Sequence, residues 1–202
     1  MNERPAAGHR IIAERCNFNE VPLHLLVVGM LSHTPYIRPA TVEDVQAILE
    51  IFNEQILTAT SVYLEEAQTL EDRLKWYTDR VRDNFPVVVV VVDNVVAGFG
   101  SYGQFRAGYK YTVEHSVYIH KDFRSKGLSK LMLEWLIKSA RENNFHVMMA
   151  VIDSENEISI RLHEKYGFEE VGSMKQLGFK FGRWMTAVKF LQLTFDTPTN
   201  PV

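Results

Sequence analysis

The 202-residue chain has a single cysteine, Cys16, so an internal disulfide framework is excluded and a reducing compartment is implied. It has no long hydrophobic run. The stretch "VPLHLLVVGML" is too short to span a bilayer and is interrupted by His24. That run also follows a polar and charged segment, which is the wrong shape for a secretory signal. Cytoplasm is the expected location, with no membrane partner. A large excess of charge of either sign is lacking as well. A net charge of −3 supplies no basic coat for a nucleic-acid backbone, so any cationic site must be local. The seven histidines never form H-x-x-x-H or H-E-x-x-H, and there is no cysteine pair, so no metal site is expected. Glycine triplets of the dinucleotide type and a complete nucleotide P-loop are also missing.

What is present is an ordinary globular composition, 46% hydrophobic, over the length of one domain. Residues 1–34 show no clear periodicity and read as an extension. Residues 35–193 are densely patterned. The segment 194–202, "TFDTPTNPV", lacks apolar rhythm and is expected to fray.

Inside the dense region the periodicity alternates. "TVEDVQAILEIFNEQIL" begins with Thr41 and Asp44, a relative of the capping box, and places apolar residues at 45, 48, 49, 52 and 56. "TLEDRLKWYTDRVRD" repeats the device with Thr69 and Asp72. "FPVVVVVVDNVVAGFGSYG" is too β-branched for a helix, and its Asp93-Asn94 pair predicts a hairpin turn. A third strand is expected over 110–119, a helix over about 128–143 and a strand in "HVMMAVI". A short helix follows in "ENEISIRLHEKY", then strands in "FEEVGSMKQ" and "RWMTAVKFLQL". With an edge strand after Tyr36, this describes an α/β (α+β) protein with a mixed central sheet flanked by helices.

Between the third strand and the helix after it lies "HKDFRSKGLSK". A helix N-terminus offers free N–H groups and the positive end of its dipole. Arg124, Lys126 and Lys130 add charge, and Gly127 permits close approach of the backbone. The loop is therefore a candidate anion site. Glu114 stands in the middle of the third strand, an unusual place for a carboxylate. Simple alternation puts Glu114, Ser116 and Tyr118 on one face and Val113, Val117 and Ile119 on the other. His115 falls on the apolar parity and reads as a satisfied core histidine.

The order of these elements, together with "VYIHKDFRSKGLSKLML" and "NEISIRLHEKYGFEEVG", resembles the GNAT family of N-acetyltransferases over about residues 36–193. "YTVEHSVYI", "RLHEKYGF" and "GFKFGRW" are most similar to its phosphinothricin and methionine sulfoximine acetyltransferase branch. The family's loop is usually [QR]-x-x-G-x-[GA]; here Arg124, Gly127 and Ser129 hold those places, with serine a departure at the last. The resemblance implies acetyl-CoA as cosubstrate. Arg124, Ser125, Lys126, Gly127, Leu128, Ser129 and Lys130 would surround its diphosphate, and Val117, Tyr118 and Ile119 would pair with its pantetheine arm. Asn156 would lie beside that arm; the alternative reading of the same residue is a helix cap.

The resemblance also implies catalytic roles. Glu114 is the expected general base, and His163, where many relatives carry tyrosine, is an acid, a base or both. Tyr166 reads as a packing residue. No nucleophilic triad is visible, so transfer is expected to be direct. The implied acceptor is a small amino acid or analogue such as methionine sulfoximine, methionine sulfone or phosphinothricin, whose carboxylate would want an arginine fork. Arg106, Gly108 and Tyr109 are the candidate acceptor residues, in a loop about two residues shorter than in relatives with "F-R-x-R-x-A-Y" and lacking a second arginine. Phe52, Tyr63 and Trp184 are aromatics for either pocket or core. A homodimer is implied by the branch. A non-catalytic acetyl-CoA-binding module, and an acetyltransferase for peptide N-termini or polyamines, stand as alternatives.

Overall fold

Six consecutive valines, Val87–Val92, form strand β2, and five of them are buried. Such a run has no polar face, so it must be covered on both sides. The structure, a computed structural model that describes residues 34–196, provides that cover. The chain order is β1 (Tyr36–Pro39), α1 (Val45–Thr58), α2 (Leu70–Arg82), β2, β3 (Val95–Gln104), β4 (Thr112–Ile119), α3 (Leu128–Glu142), β5 (Val147–Asp153), α4 (Glu157–Lys165), β6 (Glu169–Lys175), β7 (Phe179–Lys180), β8 (Arg183–Trp184) and β9 (Ala187–Thr194). Seven strands form one sheet in the order β1-β2-β3-β4-β5-β9-β6. Every pair in it is antiparallel except β4 and β5, which α3 connects as a parallel pair requires.

One face of the sheet packs Val88, Val90, Val113, Met148 and Leu191 against Leu128, Met132, Leu133 and Leu136 of α3 and Ile160 of α4. The other packs Val87, Val89, Val91 and Phe99 against Ile48, Ile51, Phe52 and Ile56 of α1, with Trp76 and Tyr77 of α2 at its margin. This is the mixed, two-sided layer architecture expected from the sequence. The local signals act as their chemistry dictates. Thr69 accepts from the Asp72 N–H at 3.2 Å, while the Asp72 carboxylate accepts from the Thr69 N–H at 2.9 Å. Asp93 and Asn94 both take the left-handed backbone that a two-residue hairpin demands.

Three expectations are corrected. The third strand starts at Thr112, because Tyr109 and Thr112 are held in turns by the carbonyls of Arg106 and Tyr109. "RWMTAVKFLQL" is two strands: Arg183 and Trp184 pair with Lys180 and Phe179 in a separate small hairpin. Lys180 draws that hairpin off the sheet, since its buried ammonium donates to the carbonyls of Ala59 and Val62. At the C-terminus β9 continues through Thr194, and Phe195 is buried with its N–H bonded to the His146 carbonyl, so order extends past residue 193. The extension up to residue 33, with Cys16, and the segment from 197 lie outside the described residues.

Candidate active site

Strands β4 and β5 pair only from Thr112↔Val147 to Glu114↔Met149. Beyond Met149, β5 stays paired with β9 as far as Asp153, and β4 stays with β3 as far as Ile119. The sheet therefore splits into a wedge from His115 onward. The Phe105 N–H bonds to the Thr112 carbonyl, and the His120 N–H to that of Ala97. In an antiparallel ladder this parity turns the main chain of even-numbered β4 residues toward β3, and that of odd-numbered ones away from it. Val117 and Ile119 thus present N–H and C=O groups to the wedge. Tyr118 does not: its peptide groups belong to the β3 ladder, and its ring packs 5.4 Å from Phe52 and 5.1 Å from Phe99.

At the end of the wedge, Ser125 and Gly127 have φ of 62° and 78°. Gly127 is the N-cap of the 15-residue α3, and a Cβ there would meet nothing within 4 Å. Being a glycine, it caps no N–H, so first-turn amides at Leu128, Ser129 and Lys130 remain for a ligand. The loop's cations are differently occupied. Arg124 donates to Glu54 of α1 at 2.5 Å and to the Ile119 carbonyl at 3.4 Å. Lys126 sits 4.8 Å from the Phe123 ring centre, and Lys130 is 3.9 Å from Glu134. An anion at this loop would meet the backbone amides first. Asn156 is the N-cap of α4, its side-chain oxygen accepting from the Ser159 N–H at 3.1 Å. An extended arm bearing amides and ending in a diphosphate fits these groups.

Glu114 is half-buried on the face covered by α1 and α2, opposite Gly103 of β3. Burial raises its pKa, opposed by the positive charges of Arg80 and Arg106. Arg80 was not anticipated from sequence. Arg73, Trp76, Tyr77 and Arg80 are spaced i, i+3, i+4, i+7, the inward stripe of α2, so two arginines occupy positions that normally hold core residues. That spacing was the available signal. A Cβ on Gly103 would lie 1.4 Å from Arg80 Nη1, so the glycine is what admits the guanidinium. Arg73 is buried, 3.8 Å over the Phe52 ring and 4.6 Å over Trp76, and donates to Gln68. Burial pulls its pKa down to about 10. The Nε atoms of both arginines are buried without a partner. Arg106 is exposed against Phe105 at 5.2 Å, in the loop that holds Gly108 at φ 90° and exposed Tyr109. Of the three aromatics considered, Phe52 is core, Tyr63 packs its ring on Gly178, and Trp184 is exposed on the β7–β8 hairpin.

On the opposite face, His163 is buried, with Nδ1 2.6 Å from the Ser159 carbonyl and Nε2 3.1 Å from Nε2 of His115. Burial lowers its pKa, and lowers that of His115 to about 3, so both imidazoles are neutral near pH 7. His115 is not the satisfied core histidine expected, because its Nδ1 is buried without a partner. Tyr166 packs at the core's margin and donates from its hydroxyl to Glu134 at 2.5 Å. Among the described residues no cluster of three or more His, Cys, Asp or Glu could hold a metal ion. No helix there is long and apolar enough to cross a membrane.

A split between parallel strands that ends at a glycine-capped helix defines a class, and the chain's likeness to known proteins agrees with it. Residues 37–188 match the acetyltransferase (GNAT) domain, and the chain belongs to that family. It is 40% identical over 167 residues to the L-amino acid N-acyltransferase MnaT of Escherichia coli, covering 82% of this chain and 96% of that protein. It is 41% identical over 167 residues to the L-methionine sulfoximine/L-methionine sulfone acetyltransferase of Salmonella typhimurium, covering 82% and 97%. A Salmonella typhimurium acetyltransferase solved with acetyl-CoA superposes with a TM-score of 0.81 at 40% identity, covering 84% of this chain and 98% of that one.

Proposed function

We propose that this protein is an acetyl-CoA-dependent N-acetyltransferase acting on the amine of a small amino acid or a tetrahedral analogue such as methionine sulfoximine, methionine sulfone or phosphinothricin. The observation that carries the reading is the half-buried Glu114, placed where β4 leaves β5 and faced by Arg80 and Arg106. Acetyl-CoA supplies an acetyl group activated as a thioester. The amides at 128–130 hold its diphosphate, and Val117 and Ile119 pair with its arm as an added strand would. Glu114 takes a proton from the acceptor ammonium, directly or through a water, freeing the nitrogen lone pair to attack. The raised pKa matches that duty, since a carboxyl poised nearer neutrality is the stronger base. The Val117 N–H, turned into the wedge, is placed to receive charge developing on the acetyl carbonyl oxygen. The nitrogen bonds to the acetyl carbon, the carbon–sulfur bond breaks, and the coenzyme leaves as a thiolate that takes up the proton the nitrogen gives up, with His163 taking part in that proton transfer; no acyl-enzyme is needed.

Arg80 and Arg106 suit an acceptor carboxylate and disfavour a polyamine, which would want carboxylates around it. Arg106, Gly108 and Tyr109 form the outer side of the acceptor site, with Arg80 as its inner partner. Exposed Leu177, Phe179, Phe181 and Trp184 on and beside the small hairpin support a homodimer, which a light-scattering mass of one chain would contradict. The substrate reading is tested by an acceptor panel with acetyl-CoA, followed by release of free thiol. Methionine sulfone, methionine sulfoximine or phosphinothricin should give the highest kcat/KM. Preference for spermidine or a peptide N-terminus would overturn the acceptor class, and no turnover with any amine would leave only a binding module.

A further inference from the structure

His115 and His163 lie 48 residues apart in sequence and meet ring to ring, 5.0 Å between centres and 18° from parallel. Phe168 stands edge-on to both, at 5.7 and 5.0 Å. Two nitrogen lone pairs cannot face each other at the 3.1 Å between the Nε2 atoms, so one of those atoms carries a hydrogen. The Ser159 carbonyl 2.6 Å from Nδ1 of His163 only accepts, which puts that ring's hydrogen on Nδ1. In neutral His163, Nε2 is then a lone pair, and the hydrogen between the rings belongs to Nε2 of His115. That leaves Nδ1 of His115 as a bare acceptor, buried and without a partner. Packing alone has no use for an unpartnered nitrogen, and an apolar side chain would avoid it. The pair also sits where the wedge opens, one residue from Glu114 and on the other face of the sheet.

We propose that His115 is a positioning residue for the acetyl transfer: its Nε2–H locks His163 in the Nδ1–H tautomer and makes the two imidazoles one unit. The inference rests on the reading that His163 takes part in that reaction. Nitrogen-15 spectra of the intact protein at neutral pH test the pairing without any substitution. His163 should show a protonated Nδ1 and a bare Nε2, and His115 the reverse. A protonated Nδ1 on His115 would overturn the assignment.

Two variants then test the consequence. His115→Leu removes the donor, whereas His115→Gln puts an N–H where Nε2 stood. His115→Leu should lower kcat about ten- to a hundredfold, by analogy with the loss of a partner that orients a metal-bound imidazole, with little change in KM for acetyl-CoA. His115→Gln should recover most of that loss and keep the His163 nitrogen pattern. A glutamine variant no better than leucine, or a leucine variant with full kcat beside an impaired His163→Ala, would refute the positioning role. If His163→Ala itself keeps full turnover, the role of His163 fails and the inference falls with it, whatever the spectra show of the pair.

Discussion

At Gly103 the missing side chain leaves room for Arg80, whose guanidinium would collide with a Cβ there. The obstacle is the far end of a flexible side chain, so Gly103→Ala should leave the fold intact and push Arg80 away from Glu114. An arginine that helps to hold an acceptor carboxylate contributes a charge-assisted hydrogen bond of about 1.5–3 kcal/mol. Its displacement should therefore raise the acceptor KM by about tenfold or more while the affinity for acetyl-CoA stays unchanged. Steady-state kinetics against the acceptor, with calorimetry for acetyl-CoA, measures both. An unchanged acceptor KM would remove Arg80 from the site. Asp44 shows the same precision in a structural role. It accepts from Arg38 at 2.6 and 2.8 Å and from the Thr41 N–H at 2.8 Å, and this pairing holds its pKa below the usual carboxylate range.

Among the elements, the loop that enters α3 carries the cofactor reading. Because Gly127 has a left-handed backbone and opens onto free space, a side chain there is strained and projects outward into the volume a phosphate would use. Gly127→Glu should abolish measurable acetyl-CoA binding in calorimetry and lower the melting temperature only slightly. Unchanged affinity would move the diphosphate elsewhere. This loop was legible in the sequence, as were the Thr69 cap and the Asp93-Asn94 turn, because each is a local signal whose meaning depends on a few neighbours. The β7–β8 hairpin was not. Its separation from β9 depends on Lys180 reaching the carbonyls of Ala59 and Val62, a contact spanning about 120 residues that no periodicity records. The His115–His163 pair escaped notice for the same reason. Arg73 and Arg80 were readable in principle from helical spacing, but two charges on an inward stripe look like solvated positions until α2 is placed on the sheet.

For the whole molecule, burying two neutral imidazoles links stability to pH. Both have folded pKa values below the ordinary value near 6.5, so as pH falls below that value the unfolded chain takes up protons that the folded chain refuses. Their contribution is complete above about pH 6.5 and is lost as pH falls, for His115 toward its value of about 3. Glu114, raised by burial, works in the opposite sense, so the clean comparison is between wild type and His115→Leu. Between pH 6.5 and 5 the wild-type melting temperature should fall more steeply than that of the variant. Parallel slopes would mean that His115 is not held neutral by the fold.

The claim on which the account turns is that Glu114 is the base of an acetyl transfer, and Glu114→Gln tests it most directly because it keeps the shape and removes the basicity. With saturating acetyl-CoA and the best acceptor of the panel, kcat should fall by about two to four orders of magnitude, the range for a general base. The acid limb of the wild-type pH–rate profile should lie above the usual carboxylate range and vanish in the variant, with partial recovery of rate at high pH, where more acceptor amine is already neutral. A Glu114→Gln enzyme that turns over at the wild-type rate at neutral pH, with the same acid limb, would contradict the account and leave Glu114 a structural carboxylate.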